Sequence, residues 1–226
     1  MGYRYDIAIR STHKYAVRAS GDVARIIDRP DGGVALLVID GQGSGPSARA
    51  AARDVASRLT GLLEAGADAN VAALAANQAL ASARSGQVSV SFDVVIATAS
   101  GDLDISRFST NSVHFLRDET WHDLTANAGP GGRRASAEPD RYRCSVADAK
   151  AVLIASDGAA GPELDRWIAL SIDAASASEP ATVLFDEIIS AQNGRPKDDV
   201  TIALMVRSEI PAEQRFEQFD YQRDVR

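Results

Sequence analysis

The sequence predicts an α+β fold in which antiparallel β-sheets form a sandwich and pairs of helices pack on its outside. Most strand-like segments follow one another in hairpin-like groups, whereas a parallel sheet would need a helical crossover between strands. Helical segments occur in pairs between those groups of strands. The 226 residues, of which 45% are hydrophobic, suffice for the core of one large domain.

The N-terminal segment predicts three strands. Residues 3–11 alternate Tyr and Ile with other residues, as expected of a half-buried strand. Residues 22–28 and 34–40 are largely apolar runs, and the turn sequence at 29–33 between them contains Pro, Asp and two Gly. The second and third strands therefore form a predicted hairpin.

Two alanine-rich helices are predicted next. Pro46 occupies a first helical position, where its missing N–H is harmless, and apolar residues then recur at helical spacing. Gly66 ends this helix. Asn70 is the predicted N-cap of the second helix, which covers residues 70–84 and ends near Gly86. Their small side chains favour close packing on each other or on a sheet.

The remaining segments are strands, two short helices and a polar loop over 125–140. The predicted strands cover 88–100, 103–109, 113–118, 120–124, 142–146, 151–158 and 200–206, and the predicted helices cover 162–171 and 180–192. Neither an internal repeat nor a linker divides the chain. We therefore predict a single domain over residues 1–206, followed by a charged tail over 207–226.

Composition restricts the class of protein. A net charge of −7 and a pI near 5.0 argue against nucleic-acid binding, which normally uses a basic patch. The single cysteine, Cys144, cannot form an internal disulfide, and the three histidines lack the spacing of a zinc site. No apolar run reaches membrane-spanning length, and the N-terminus lacks a signal-peptide core. A cytoplasmic protein without membrane contact is the resulting prediction.

Aspartates stand at the ends of several predicted strands. Asp40 and Asp157 follow apolar strands, and a glycine comes directly after each. Asp22 precedes another strand, and Asp198 and Asp199 precede the last one. In an antiparallel sheet the C-terminal end of one strand lies beside the N-terminal end of its neighbour. These carboxylates are therefore expected to converge on one edge of the sheets.

A carboxylate cluster of this kind favours a hard cation. Like charges at close range repel each other unless a positive group lies among them. Oxygen ligands without His or Cys favour Mg²⁺ or Mn²⁺, and two such ions can activate water against a phosphate. The carbonyl of Gly41 is a further possible ligand. A purely structural role stays open at each position, because Asp-Gly is also a common turn pair.

In this order, the aspartate motifs resemble those of the metal-dependent protein phosphatases (PPM, 2C class), especially their SpoIIE and RsbX-like bacterial branch. The resemblance covers residues 3–206 and rests on Gly21-Asp22, Asp40-Gly41-x-Gly43-x-Gly45, Ser156-Asp157-Gly158 and Asp198-Asp199-x-Thr201. It implies a four-layer α-β-β-α fold, which agrees with the prediction from the strand and helix pattern.

The resemblance also implies a site that holds two Mn²⁺ or Mg²⁺ ions. Asp40 would bridge the two ions, and the Gly41 carbonyl would bind one of them. Asp157 and Asp198 would hold the other. Asp22 would lie close by, directly or through a water. By the same resemblance, the catalytic residues are Asp22, Asp40, Asp157 and Asp198.

Three features depart from the family pattern. Asp199 falls where eukaryotic members usually have Asn, so it ranks below Asp198 as a metal ligand. Gln42 stands near the position of a histidine that is a candidate general acid in those members. Residues 109–112 read Ser-Thr-Asn-Ser where many bacterial relatives have Asn-Ala-Gly-His. These departures concern substrate contacts more than metal binding.

The implied activity is hydrolysis of phosphoserine or phosphothreonine on a bacterial signalling protein by a metal-activated water. The implied substrate is a phosphorylated STAS-domain protein of a partner-switching or stress-response pathway. The alternative is a catalytically degenerate phosphatase-fold module that binds a signalling partner without turnover. A nucleotide-binding loop is disfavoured because the glycines match neither G-x-G-x-x-G nor a P-loop. A serine hydrolase is disfavoured because Ser44 lies outside a G-x-S-x-G motif.

Overall fold

Two antiparallel sheets dominate the computed structural model, which describes residues 2–17, 20–43, 46–145, 149–169 and 176–210. Within these residues each sheet has five strands, and each is covered on its outer face by a pair of helices. A third apolar cluster fills the space between the sheets. The predicted α+β sandwich with four α-β-β-α layers is confirmed.

The first sheet has the strand order β1-β10-β9-β6-β7. Its strands are β1 (Gly2–Thr12), β6 (Ser112–Arg117), β7 (Thr120–Asp123), β9 (Ala151–Ala155) and β10 (Val200–Ile210). β1 and β10 pair along their whole length, from Gly2 opposite Ile210 to Thr12 opposite Val200. β10 thus continues four residues beyond the predicted strand end at 206, because its last residues pair with the first residues of β1. Residues 211–226 of the predicted tail lie outside the described residues.

The second sheet has the order β2-β3-β4-β5-β8. Its strands are β2 (Val23–Asp28), β3 (Val34–Gly41), β4 (Val90–Ala97), β5 (Leu103–Phe108) and β8 (Asp140–Cys144). The central strand β3 is apolar without interruption because both of its faces are covered. Leu36 and Val38 face the space between the sheets, whereas Leu37 and Ile39 face the helices.

The helices α1 (Pro46–Glu64) and α2 (Ala69–Ala83) cover the second sheet. The N-cap of α2 is Asp68 and not the predicted Asn70, since the Asp68 carboxylate accepts a hydrogen bond of 2.7 Å from the Val71 N–H. Both residue types are good N-caps. Burial of Ala69 places the helix start before Asn70.

The helices α3 (Pro162–Ile168) and α4 (Ser178–Ala191) cover the first sheet. Both predicted helices are present, although residues 170–175 lie outside the described residues. A single 3₁₀ turn (Asp157–Ala159) separates β9 from α3. Across the described ranges, no helix has both the length and the apolar character needed to cross a bilayer.

Candidate metal centre

The topology brings the predicted aspartates to one end of the two sheets. In the second sheet, Val23 pairs with Ile39, so Asp22 and Asp40 are neighbours at the same edge. In the first sheet, Ile202 pairs with Ala155, so the segment before β10 lies beside the Asp157 turn that follows β9. Each sheet therefore contributes one aspartate after a strand and at least one before a strand.

Asp40 lies at the centre of this group. Burial raises the pKa of its carboxyl to about 8, and the charges of Asp22, Asp157 and Asp198 act in the same direction. The carboxylates of both sheets are therefore close enough to repel one another. Since Asp40 is half-buried at the end of β3, this repulsion is only partly screened by water.

Asp22 lies beside Asp40 on the buried side of the group. Both of its side-chain oxygens are buried, and neither has a hydrogen-bond partner within the described residues. Burial raises the pKa of Asp22 to about 6; the nearby Thr201 and Ser156 hydroxyls oppose this shift, and the charge of Asp199 adds to it. A buried carboxylate whose oxygens accept no well-formed hydrogen bond is unfavourable unless a proton or a cation stabilises it.

Asp157 and Asp198 form the solvent-facing side of the group, and both are exposed. Burial of its carboxyl raises the pKa of Asp157, and the charge of Asp198 is the next largest cause. Asp157 also contacts Asp40. The site is therefore open to solvent on the side of the first sheet and closed at Asp22, which suits a site that receives a substrate from outside.

Two glycines allow the close backbone approaches on which this geometry depends. A Cβ atom on Gly41 would lie 2.4 Å from the carbonyl oxygen of Ala48, so only glycine lets the first turn of α1 pack on the end of β3. A Cβ atom on Gly158 would lie 2.0 Å from the carbonyl oxygen of Asp199. Gly158 therefore lets the Asp157 turn lie directly against the segment before β10.

Asp199 differs from the other aspartates because each of its two oxygens accepts a backbone hydrogen bond. The residue is only 5% exposed. Its Oδ1 accepts a hydrogen bond of 2.7 Å from the Lys14 N–H, and its Oδ2 accepts one of 2.5 Å from the Gly21 N–H. These two donors lie near the ends of the loop between β1 and β2, so Asp199 fixes the loop that leads into Asp22.

The Ser-Thr-Asn-Ser segment at 109–112, one of the departures from the family pattern, also reaches the edge of the site. Ser91 on β4 lies opposite Asp40 in the strand register, and the hydroxyls of Ser91 and Thr110 are 3.2 Å apart. Gln42 accepts a hydrogen bond from the Ser89 hydroxyl. No sequence signal indicated these contacts, because they depend on the register of β4 with its neighbours. Gly45 and Ser44 lie outside the described residues.

The donor set fits a hard cation that retains water ligands. Its side chains offer oxygen ligands alone, and the buried Asp22 oxygens lack hydrogen-bond partners. The carbonyl oxygen of Gly41 lies close to Gly21, the residue before Asp22. Within the described ranges, no three His, Cys, Asp or Glu side chains form a ligand group for one ion. Mg²⁺ does not need such a group, since it commonly uses one or two carboxylates and keeps several waters.

Several solved phosphatase structures are similar to this chain. The phosphatase domain of Bacillus subtilis SpoIIE, with a fragment of its regulatory domain, matches 91% of this chain with a TM-score of 0.78 and 19% identity, and the chain spans 64% of that structure. RsbX in complex with magnesium matches 90% of this chain and 96% of its own, with a TM-score of 0.72 and 14% identity. Stp1 from Staphylococcus aureus, a serine/threonine phosphatase, matches 90% of this chain and 95% of its own, with a TM-score of 0.72 and 12% identity.

The fold is thus that of PP2C-type phosphatase domains. The model of the family named Stage II sporulation protein E (SpoIIE) matches residues 30–208. The chain belongs to this family, and the resemblance stated from the aspartate motifs is confirmed. Curated protein sequences give no match.

Proposed function

We propose that this chain is a metal-dependent phosphatase that removes phosphate from serine or threonine residues of a protein. The observation that carries the proposal is the group of four aspartates contributed by both sheets. Burial and mutual repulsion raise the pKa of Asp40 to about 8, and burial raises that of Asp22 to about 6. Such a group is stabilised by cations, and cations are also what a phosphate substrate needs to approach it.

The proposed ligands of two Mg²⁺ or Mn²⁺ ions are Asp22, Asp40, the Gly41 carbonyl, Asp157 and Asp198. When bound, such ions lower the pKa of a water and supply positive charge for the phosphoryl group. Asp40 lies close to the carboxylates that both sheets contribute, and it would orient the ligands of one sheet relative to those of the other. Asp157 and Asp198 face solvent and define where a phosphoryl group enters. Buried Asp22 closes the opposite side.

Asp199 has a different proposed role from the ligand role expected from sequence. Both of its carboxylate oxygens accept backbone hydrogen bonds, which fix its side chain against the β1–β2 loop. We assign it as a positioning residue that holds the β1–β2 loop and, through it, Asp22. Residues that orient metal ligands in this way commonly change metal affinity about 10- to 100-fold when they are replaced.

The proposed substrate is a phosphorylated bacterial signalling protein, with a STAS-domain protein of a stress-response pathway as the specific candidate. Its support is membership of the SpoIIE family and the open, solvent-facing side of the site. Mn²⁺ and Mg²⁺ are both candidates, because oxygen ligands alone do not distinguish them. A cytoplasmic location belongs to the same proposal.

The test is hydrolysis of p-nitrophenyl phosphate and of a phosphoserine protein, with Mn²⁺ or with chelator. The variants are Asp40→Asn and Asp157→Asn, with Asp186→Asn on the exposed face of α4 as the matched control. We expect activity that requires Mn²⁺, falls to background in both site variants and is unchanged in the control. Absence of both hydrolysis and Mn²⁺ binding in the wild type would refute the proposal and leave the partner-binding module.

A further inference from the structure

We propose that two loops beside the aspartates form a preformed docking surface for acidic residues that flank the phosphorylated residue of the substrate. The surface consists of Lys14, Tyr15, Arg195 and Lys197, and we call it the basic rim. It lies on the β1–β2 loop and on the α4–β10 loop. The inference rests on the proposed function and names the substrate feature that the site recognises.

The basic rim is held in place by hydrogen bonds that link its two loops. The Tyr15 N–H donates to the Pro196 carbonyl at 2.9 Å, and the Lys14 N–H donates to Asp199 at 2.7 Å. The Lys197 N–H donates to the Gln192 side-chain oxygen at 2.9 Å. A surface fixed by its backbone loses little entropy when a partner binds.

A further hydrogen bond, made by Gln192, fixes the rim beside the proposed entrance of the phosphoryl group. The Gln192 side-chain amide donates to the Gly158 carbonyl at 3.2 Å, directly after Asp157 in the chain. Lys197 directly precedes Asp198. A peptide whose phosphoserine enters between Asp157 and Asp198 would therefore place its neighbouring residues against the rim.

The side chains of the rim are suited to carboxylates. Tyr15 is 54% exposed, and the Arg195 guanidinium carbon lies 5.2 Å from the centre of its ring. This stacking orients the guanidinium while its N–H edge stays available for a bidentate carboxylate contact. Arg195 and Lys197 are exposed, and neither forms an ion pair with any described residue.

Charge complementarity favours an acidic partner segment. The chain as a whole carries a net charge of −7 and the neighbouring site carries four carboxylates, so an acidic substrate would be repelled over most of the surface. Three cationic side chains on two adjoining loops provide a local exception beside the site. Such local complementarity selects partners and raises association rates more than it raises affinity.

The test compares two phosphoserine peptides of equal length that differ only in flanking residues, Asp and Glu in one and Asn and Gln in the other. The variants are Arg195→Gln, Lys197→Gln and their combination. The control is Arg141→Gln on β8, an exposed arginine on the far edge strand of the second sheet. Hydrolysis of p-nitrophenyl phosphate, which has no flanking residues, serves as the internal standard.

We expect the wild type to have a higher kcat/KM for the acidic peptide. The ratio between peptides should fall about 1.5- to 5-fold for each rim charge removed, which is the range of exposed ion pairs. The ratio should also fall at high ionic strength. Hydrolysis of p-nitrophenyl phosphate should stay unchanged in every variant, and Arg141→Gln should behave as wild type.

Equal kcat/KM for the two peptides in the wild type would overturn the inference, as would an equal loss of preference in Arg141→Gln. If the wild type hydrolyses no substrate, the proposed function fails separately. In that case, fluorescence anisotropy of the labelled peptides in the presence of chelator measures peptide binding and still tests the basic rim. Tighter binding of the acidic peptide that weakens in Arg195→Gln would support the basic rim, and equal binding of both peptides would refute it.

Discussion

Replacing Asp199 with Asn separates its proposed positioning role from direct metal coordination. The carboxylate accepts two backbone hydrogen bonds, from the Lys14 N–H at 2.7 Å and from the Gly21 N–H at 2.5 Å. An amide of the same shape has only one oxygen, so it keeps one bond and turns an NH₂ group towards the other donor. The variant therefore loses a buried hydrogen bond while the volume of the side chain is preserved.

The expected loss of stability follows from that count. A hydrogen bond to a charged group contributes about 1.5–3 kcal/mol, so Asp199→Asn should lower the free energy of unfolding by about this amount. Asp199→Ala removes both acceptors and should lower it by roughly twice as much. For a domain of this size 1 kcal/mol corresponds to about 2–4 °C in Tm, so the Asn variant should melt roughly 3–12 °C lower.

Thermal unfolding with chelator and calorimetric Mn²⁺ titration together test this reasoning. We expect Asp199→Asn to melt lower without metal and to bind Mn²⁺ about 10- to 100-fold more weakly, because Asp22 is less well positioned. Activity should return at high Mn²⁺, unlike in Asp40→Asn, and Asp186→Asn should match the wild type. An unchanged Tm together with complete loss of Mn²⁺ binding would refute the positioning role and restore Asp199 as a ligand.

Three further predictions concern pH, backbone contact and a buried ion pair. Because burial raises the pKa of Asp40 to about 8, the folded state holds the Asp40 proton more tightly than the unfolded state does. With chelator, Tm should therefore fall as the pH rises from about 5 to 8. Saturating Mg²⁺ should abolish this fall. Gly158→Ala places a Cβ atom 2.0 Å from the Asp199 carbonyl oxygen and should destabilise the folded protein by about 1–3 kcal/mol. Urea unfolding measures the loss, and Ala159→Gly tests how sensitive this turn is to any substitution. An unchanged unfolding midpoint in Gly158→Ala would contradict the close contact. Arg107→Leu leaves the fully buried Asp93 carboxylate without its ion-pair partner at 2.6 Å and should cost about 3–5 kcal/mol by the same assay, whereas a loss below 1 kcal/mol would show that the pair is dispensable.

The position of the aspartates at strand ends could be predicted because the strand patterns indicate both where the strands lie and that neighbouring strands are antiparallel. The continuous apolar run of β3 identified a strand buried on both faces, and Asp40 at its end followed directly. Antiparallel pairing then sufficed to bring Asp22 to the same edge. The same antiparallel rule led to the expectation that all these aspartates converge on one edge, although no local pattern shows that β3 and β9 belong to different sheets.

The role of Asp199 could not be predicted from its residue type. A carboxylate is an equally good metal ligand and hydrogen-bond acceptor, and only the packed β1–β2 loop shows which donors reach it. The ion pair of Asp93 and Arg107 was missed for a related reason. It depends on the cross-strand register of β4 and β5, which two apolar strands leave undetermined until they pair.

Local packing also decided two boundaries that sequence placed differently. Asp68 and Asn70 are comparable caps, and the burial of Ala69 against the core selects the earlier one. The charged residues after Val206 resemble a loose end in sequence. In the structure Arg207 and Glu209 belong to β10 and pair with the first residues of β1.

The hydrogen bond from Gly21 to Asp199 joins segments that lead into different sheets, β2 in one and β10 in the other. The proposed metal ligands are divided between the sheets in the same way. A cation held there would cross-link the two halves of the sandwich, so its binding energy would oppose global unfolding and not only order a loop. At a free concentration 100-fold above Kd, this linkage amounts to about 2.7 kcal/mol. The availability of divalent metal would then determine how long the domain survives a protease, independently of how fast it turns over substrate.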